Sequence, residues 1–236
     1  IRDLPYPAFL DSSFPHSTAG RYDILTAAPM SAAPPSLVSG ASEQECHTFF
    51  AELDRFHREY YKDVRPASPD IPFCGGILGY LGYDTGMSLH SIPAAANTAA
   101  FPAAQLRAYD WCVVQDHLLQ RAALVSQPRV SSSDRQVLLK RLKHPAPDNE
   151  MNFALAGPFT SNINADEYRQ AFDQIQTYIQ SGDCYQVNLS QCFSAEYSGD
   201  PWRAYRQLRA LAGASFAAYL GLENDAALLS LSPERF

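Results

Sequence analysis

Long runs of like charge are missing from this sequence. Only 18% of its 236 residues are charged, and 25 Asp and Glu against 18 Lys and Arg leave a formal net charge of −7. Without a Lys/Arg run or a basic stripe interleaved with aromatics, nothing is shaped to neutralise a phosphate backbone, which argues against nucleic-acid binding. No apolar run approaches the ~20 residues that span a bilayer. Ile1-Arg2-Asp3-Leu4-Pro5 also lacks the charged start and apolar core of a signal peptide. A cytoplasmic protein without a membrane segment is expected. Cysteine is sparse: Cys46, Cys74, Cys112, Cys184 and Cys192 are odd in number and contain no C-x-x-C pair. That pattern indicates neither a disulfide framework nor a structural zinc site. Reduced thiols are expected, with Cys184 a small packed residue rather than a nucleophile.

Nucleotide-binding loops are missing as well. The run Gly75-Gly76-Ile77-Leu78-Gly79-Tyr80-Leu81-Gly82-Tyr83-Asp84 is glycine-rich. It has neither the lysine of a P-loop nor the G-x-G-x-x-G spacing of a dinucleotide fingerprint. It reads as a strand whose bare positions admit another backbone.

What is present is core-forming: 46% of residues are hydrophobic and 12% aromatic. That suffices for one large domain, or a domain and part of a second. Residues 8–10 and 21–25 read as strands joined by a polar turn, whose pairing would bring Ser12 near Arg21. Residues 42–61 form a helix, opened by the capping box Ser42-x-x-Glu45. Cys46, Phe49, Phe50, Leu53, Phe56 and Tyr60 make its buried stripe. Residues 108–114 and 118–125 read as a hairpin with His117 in its turn. A short helix over 134–143 places Val137, Leu138 and Leu142 inside. Residues 92–105 read as irregular and 144–162 as a linker.

A second strong helix spans 166–181, with Asn164 as N-cap and Gly182 as left-handed C-cap. Its stripe is Tyr168, Ala171, Phe172, Ile175, Tyr178 and Ile179. A strand over 185–190 follows, with Gln186, Asn188 and Ser190 on one face, either lining a polar cavity or facing solvent. Asp200-Pro201 opens a third helix that buries Trp202, Tyr205, Leu208 and Leu211. Strands over 215–222 and 226–231 end the chain, and Glu234 sits on the exit. Two readings of Glu234 stay open at this point: a proton donor with a raised pKa, or a surface carboxylate paired with Arg235.

Three stretches carry a resemblance: Asp183-Cys184-Tyr185-Gln186-Val187-Asn188-Leu189-Ser190-Gln191, Leu229-Ser230-Leu231-Ser232-Pro233-Glu234-Arg235-Phe236, and the glycine-rich run at 75–84. With Tyr109-Asp110-Trp111 and Arg21-Tyr22-Asp23-Ile24, they resemble the chorismate-utilising enzymes over essentially the whole chain. Tyr-Gln-Val-Asn-Leu-Ser and Ser-Pro-Glu-Arg-Phe are closer to the aminodeoxychorismate-forming branch. Anthranilate synthase usually has Phe-Gln-Val-Val-Pro-Ser and Ser-Pro-Glu-Ser.

The resemblance implies an α+β fold of two large antiparallel sheets packed as a sandwich with peripheral helices, here its N-terminal portion. Residues 1–150 would form a subdomain with an aromatic amino-acid pocket, and residues 151–236 the start of the chorismate-binding catalytic part. It implies Mg²⁺-dependent amination of chorismate at C4, with ammonia from a glutamine amidotransferase subunit or domain, in para-aminobenzoate and folate synthesis. Glu234 would be the general acid for the departing hydroxyl. The attacking lysine and the metal-binding carboxylates are expected beyond Phe236.

The implied pocket comprises Ser12, the segment Ala19-Gly20-Arg21-Tyr22, and Ser215-Phe216-Ala217. Ala19-Gly20 replaces a Tyr-Ser pair associated with tryptophan-binding members, so weak or absent tryptophan binding is expected. Anthranilate synthase, or a ligand-binding fragment without chemistry, is the alternative. The chain begins without Met and ends on an apolar strand. It is therefore expected to be part of something longer, and poorly soluble and inactive alone.

Overall fold

The structure, a computed structural model, describes residues 1–17, 20–92, 102–144 and 151–235. In chain order its elements are β1 (Ala8–Asp11), β2 (Tyr22–Thr26), α1 (Glu43–Tyr61), β3 (Gly76–Leu81), α2 (Tyr83–Leu89), β4 (Ala104–Tyr109), β5 (Trp111–Asp116), β6 (Arg121–Ser126) and α3 (Ser132–Lys143). Then come β7 (Ala154–Leu155), β8 (Thr160–Ser161), α4 (Ala165–Ser181), β9 (Phe193–Ser194), β10 (Tyr197–Ser198), α5 (Pro201–Ala212), β11 (Phe216–Gly221) and β12 (Ala227–Ser232). The chain divides into two compact units, residues 1–147 with 205–236, and residues 148–204.

The first unit is built on a six-stranded antiparallel sheet ordered β12-β11-β1-β2-β5-β6. A second, two-stranded sheet pairs β3 with β4. Gly79 permits that pairing, because a Cβ there would lie 2.0 Å from the Gln105 carbonyl oxygen. Ala8, Tyr109 and Leu220 are buried with Leu78, Leu222 and Leu228 between the two sheets. On the other side of β3–β4, α1 lays Cys46 and Phe49 onto Leu37, Ala103, Ala104 and Leu106. The capping box of α1 is formed: Glu45 N donates to Ser42 Oγ, and Ser42 N donates back to the Glu45 carboxylate at 2.7 Å. Phe50, Leu53, Phe56 and Tyr60 are half-buried along the expected stripe.

Several expectations need correction. The strand read over 108–114 is two strands, broken by a bend at Asp110, and β4 and β5 enter different sheets. Alternation alone does not reveal a strand that changes sheets at a single bend. No residue of α3 is buried: Val137 is 61% exposed and Leu142 36%. On α5 Tyr205 is fully buried, but Leu208 is 42% and Leu211 85% exposed.

In the second unit, the span read as a linker contains β7 and β8, which pair with β10 and β9. Residues 145–150 of that span, and most of the irregular 92–105 stretch, lie outside the described residues. The ends of α4 follow the sequence reading. Asn164 Oδ1 accepts from the N–H groups of Asp166 and Glu167, and Gly182 closes the helix at φ 83°. Its stripe does not: no residue of α4 is buried, and Tyr168, Phe172, Tyr178 and Ile179 are 37–47% exposed. The strand expected over 185–190 is not formed, since extended chain becomes a strand only with a ladder partner. No helix among the described residues is long and apolar enough to cross a membrane.

Candidate functional site

Strand register gathers every described candidate residue at one end of the six-stranded sheet. Ser232 pairs with Phe216, Ala217 with Asp11, and Tyr22 with Asp116. Ser12 therefore follows the last residue of β1, Arg21 precedes the first of β2, Ser215 precedes β11, and Glu234 follows β12. A cavity of about 290 Å³ lined by Tyr80, Asp84, Ala227 and Leu228 lies towards the opposite end and touches none of these residues.

The loop leaving β1 is held by two buried carboxylates. The enclosed Asp11 side chain accepts from Arg209 Nε and Nη2 at 2.5 and 2.7 Å, from Tyr205 Oη at 2.8 Å and from Ser13 N at 2.6 Å. A carboxylate taken out of water needs such a cation and full hydrogen bonding. Burial, reinforced by Asp11, pushes the Tyr205 phenol well above its ordinary range, and the bond to Asp11 raises the Arg209 guanidinium. Tyr205 and Arg209 lie four residues apart on one face of α5.

Asp23 is the second carboxylate. Ser12 donates to its Oδ1 from N at 2.8 Å and from Oγ at 2.7 Å, while His117 Nε2 lies 2.8 Å from its Oδ2. The His117 ring stacks on Phe14 at 4.3 Å. Ser13 Oγ donates to the Ala214 carbonyl at 2.6 Å, and the hydroxyls of Ser17 and Ser215 lie 2.7 Å apart. The loop is thereby fastened to the start of β11.

Arg21 points elsewhere. Its Nε and Nη2 donate to Asp116 at 3.1 and 2.8 Å, and Nη2 reaches Asp70 at 3.2 Å. Its guanidinium covers the Tyr22 ring at 4.6 Å. Bonds from Arg21, helped by the N–H groups of Leu118 and Leu119, hold the Asp116 carboxyl down to about 2 against the opposing effect of burial. Strand pairing does bring the two ends of the loop together, but Ser12 and Arg21 each bind a different carboxylate. Gly20 fills the gap: a Cβ there would sit 2.2 Å from the Ser12 Cβ. Ala217 is buried and Phe216 is 46% exposed. Ala19 lies outside the described residues.

Glu234 differs in kind. Ser232 Oγ donates to its carbonyl at 2.7 Å, fixing the backbone as it leaves the edge strand, and its side chain is exposed. Among the described residues no group of three or more His, Cys, Asp and Glu could hold a metal ion. The sequence reading does not include Asp11, Asp23, Tyr205 and Arg209 as polar cluster members; His117 stands in the β5–β6 turn as expected, and its ring also reaches Asp23. The i, i+4 pair Tyr205 and Arg209 was the available signal.

Comparison with known proteins then decides the family. The profile described as chorismate binding enzyme matches residues 15–236. The chain belongs to the chorismate-binding enzyme family. Its similarity to aminodeoxychorismate synthase component 1 of Escherichia coli (strain K12) is 37% identity over 242 residues, covering all of this chain and 52% of that protein. Anthranilate synthase component 1 of Streptomyces coelicolor is 28% identical over 191 residues, covering 73% of this chain and 37% of that one. In fold, the chain resembles the crystal structure of anthranilate synthase component I from Streptococcus pneumoniae TIGR4. The TM-score is 0.71 at 24% identity, over 92% of this chain and 51% of that one. The expected α+β architecture of antiparallel sheets and helices is thus shared with that structure. The chain spans about half the length of the curated relatives it matches.

Proposed function

We propose that the enzyme carrying this chain aminates chorismate at C4 to 4-amino-4-deoxychorismate, in the cytoplasm, on the route to para-aminobenzoate and folate. Its ammonia comes from a glutamine amidotransferase subunit or domain. One observation carries the reading: the similarity to an aminodeoxychorismate synthase component runs through the whole chain, at higher identity than to the anthranilate synthase component. The name component 1 carried by those relatives implies a second component. In this reading residues 1–150 carry the pocket together with residues 215–217, and residues 151–236 open the catalytic part. Magnesium belongs to the proposal, with its ligands outside residues 1–236.

Glu234 is the general acid. Loss of the C4 hydroxyl as water needs a proton, and a carboxylic acid on a backbone anchored by Ser232 can supply one at hydrogen-bond distance. Its exposure leaves it open to substrate. The test is product analysis of the complete natural protein with chorismate, ammonium and Mg²⁺. A product that keeps its enolpyruvyl group is expected; anthranilate, or no product, overturns the reading. Glu234→Gln should lower turnover by about 10²–10⁴-fold without changing the melting temperature.

The pocket residues support weak or absent tryptophan binding. Ser12 is committed to Asp23, Arg21 to Asp116 and Ser215 to Ser17, and Gly20 has neither side chain nor room for one. Calorimetric titration with tryptophan should show little heat, and tight stoichiometric binding would contradict it.

A further inference from the structure

Two cysteines approach each other where the loop that carries Asp70 runs into β3. Cys112, fully buried on β5, donates its thiol to the Phe73 carbonyl at 3.2 Å. In a planar trans peptide that oxygen lies about 2.8 Å from the next Cα, so the Cys112 sulfur is within about 6 Å of the Cys74 Cα. A disulfide would place it about 4 Å away. A backbone adjustment of at most about 2 Å closes the difference, and the chain has a joint for it. Gly75 and Gly76, directly after Cys74, stand at φ +103° and +159°.

We propose that Cys74 and Cys112 form a reversible disulfide that locks the loop between α1 and β3. This inference is independent of the proposed reaction. The loop has no regular element over residues 62–75. It is tethered through Asp70 to Arg21 at 3.2 Å and to Arg121 at 3.1 Å, and through the Cys74 carbonyl to Gln127 Nε2 at 3.3 Å. A covalent bond to β5 would fasten it beside the strand that ends in Asp116, the principal partner of Arg21.

The oxidant is a low-molecular-weight disulfide such as oxidised glutathione. Cys74 is partly accessible, and its thiolate attacks one glutathione sulfur, forming a mixed disulfide and releasing one glutathione thiolate. The Cys112 thiol loses its proton and attacks the Cys74 sulfur, releasing the second. Two electrons pass from the protein, and one oxidised glutathione becomes two reduced. Burial pushes the Cys112 thiol up to about 12 and raises that of Cys74, so exchange is slow at neutral pH and quickens as pH rises. The pair therefore responds to sustained rather than brief oxidation.

The test incubates the complete natural protein with oxidised glutathione at pH 8, alkylates the remaining thiols and maps the peptides. The expected result is a peptide joining Cys74 to Cys112, with no retained glutathione on either, reversed by a dithiol reductant. Cys112→Ala should instead accumulate glutathione on Cys74, because nothing resolves the mixed disulfide. Full alkylation of both cysteines in the wild type after prolonged exchange overturns the proposal, and so does Cys74 joined to any other cysteine. The wild-type map stands alone if the variant fails to fold.

Discussion

α1 and α4 present the same signals in sequence and meet opposite fates in the fold. Each opens with a formed capping box and carries an apolar stripe at helical spacing. The stripe of α1 reaches β3–β4 and buries Cys46 and Phe49, whereas α4 buries nothing. The difference teaches that periodicity specifies which face wants burial, not whether a partner is there to provide it. The same contrast separates the two candidate regions. The loop after β1 has its polar groups satisfied by side chains from β2, β5 and α5, while Glu234 stands in the open at the edge of the sheet.

The comparison can be broken most directly at its largest energies. Phe49→Ala should cost about 3–5 kcal/mol in urea denaturation, because it opens a cavity in a closed core. Phe172→Ala should stay within about 0.5 kcal/mol. A comparable loss at both positions would show that α4 is packed against something in the intact protein. Ion pairs sharpen the same point. Arg209→Met strands Asp11 without its cation and should cost about 3–5 kcal/mol. Arg169→Met removes an exposed pair with Asp166 and should cost about 1 kcal/mol or less, measured the same way.

Caps should abolish the contrast. Ser42→Ala and Asn164→Ala are each expected to cost about 1 kcal/mol, because a cap satisfies its own helix's N–H groups whether or not the stripe is covered. Hydrogen exchange in the first turn of each helix reads this out. The mildest test is one of pH. Asp116 is held to about 2 in the folded protein, below its ordinary 3.8. Its stabilising effect is complete above that ordinary value and is lost as pH falls through about 2. The stability gap between wild type and Asp116→Asn should therefore narrow between pH 4 and pH 2 in acid titrations of denaturant midpoints. A gap that is flat across that window removes Arg21–Asp116 as its source.

Much of the architecture was legible because it is local. Ser42, Asn164 and Gly182 mark helix ends through bonds that span a few residues, and Gly79 announces a close backbone approach through its missing Cβ. The strand change at Asp110 was not legible, since both halves alternate alike. Nor was the missing strand over 185–190, where an alternating pattern has no ladder partner among the described residues. In the candidate site, Glu234 stood out by motif and Ser12 only through the family resemblance. Asp11 and Asp23 did not, because their partners Arg209, Tyr205 and His117 lie roughly 100 to 200 positions away in the chain.

By itself, then, the sequence determined where α1, α4 and α5 begin, though not that a helix, α2, follows β3; it also determined which faces are apolar and the motif that places a carboxylate after β12. These rest on contacts between near neighbours and on the periodicity of the backbone. Only the tertiary structure decided that one amphipathic face is covered and another is not, that Ser12 and Arg21 turn to different carboxylates, and that the ends of β1, β2, β11 and β12 share one end of a sheet. Each of these depends on register and on burial of charge between distant segments, where the cost of an unpaired carboxylate, rather than local preference, selects the partner.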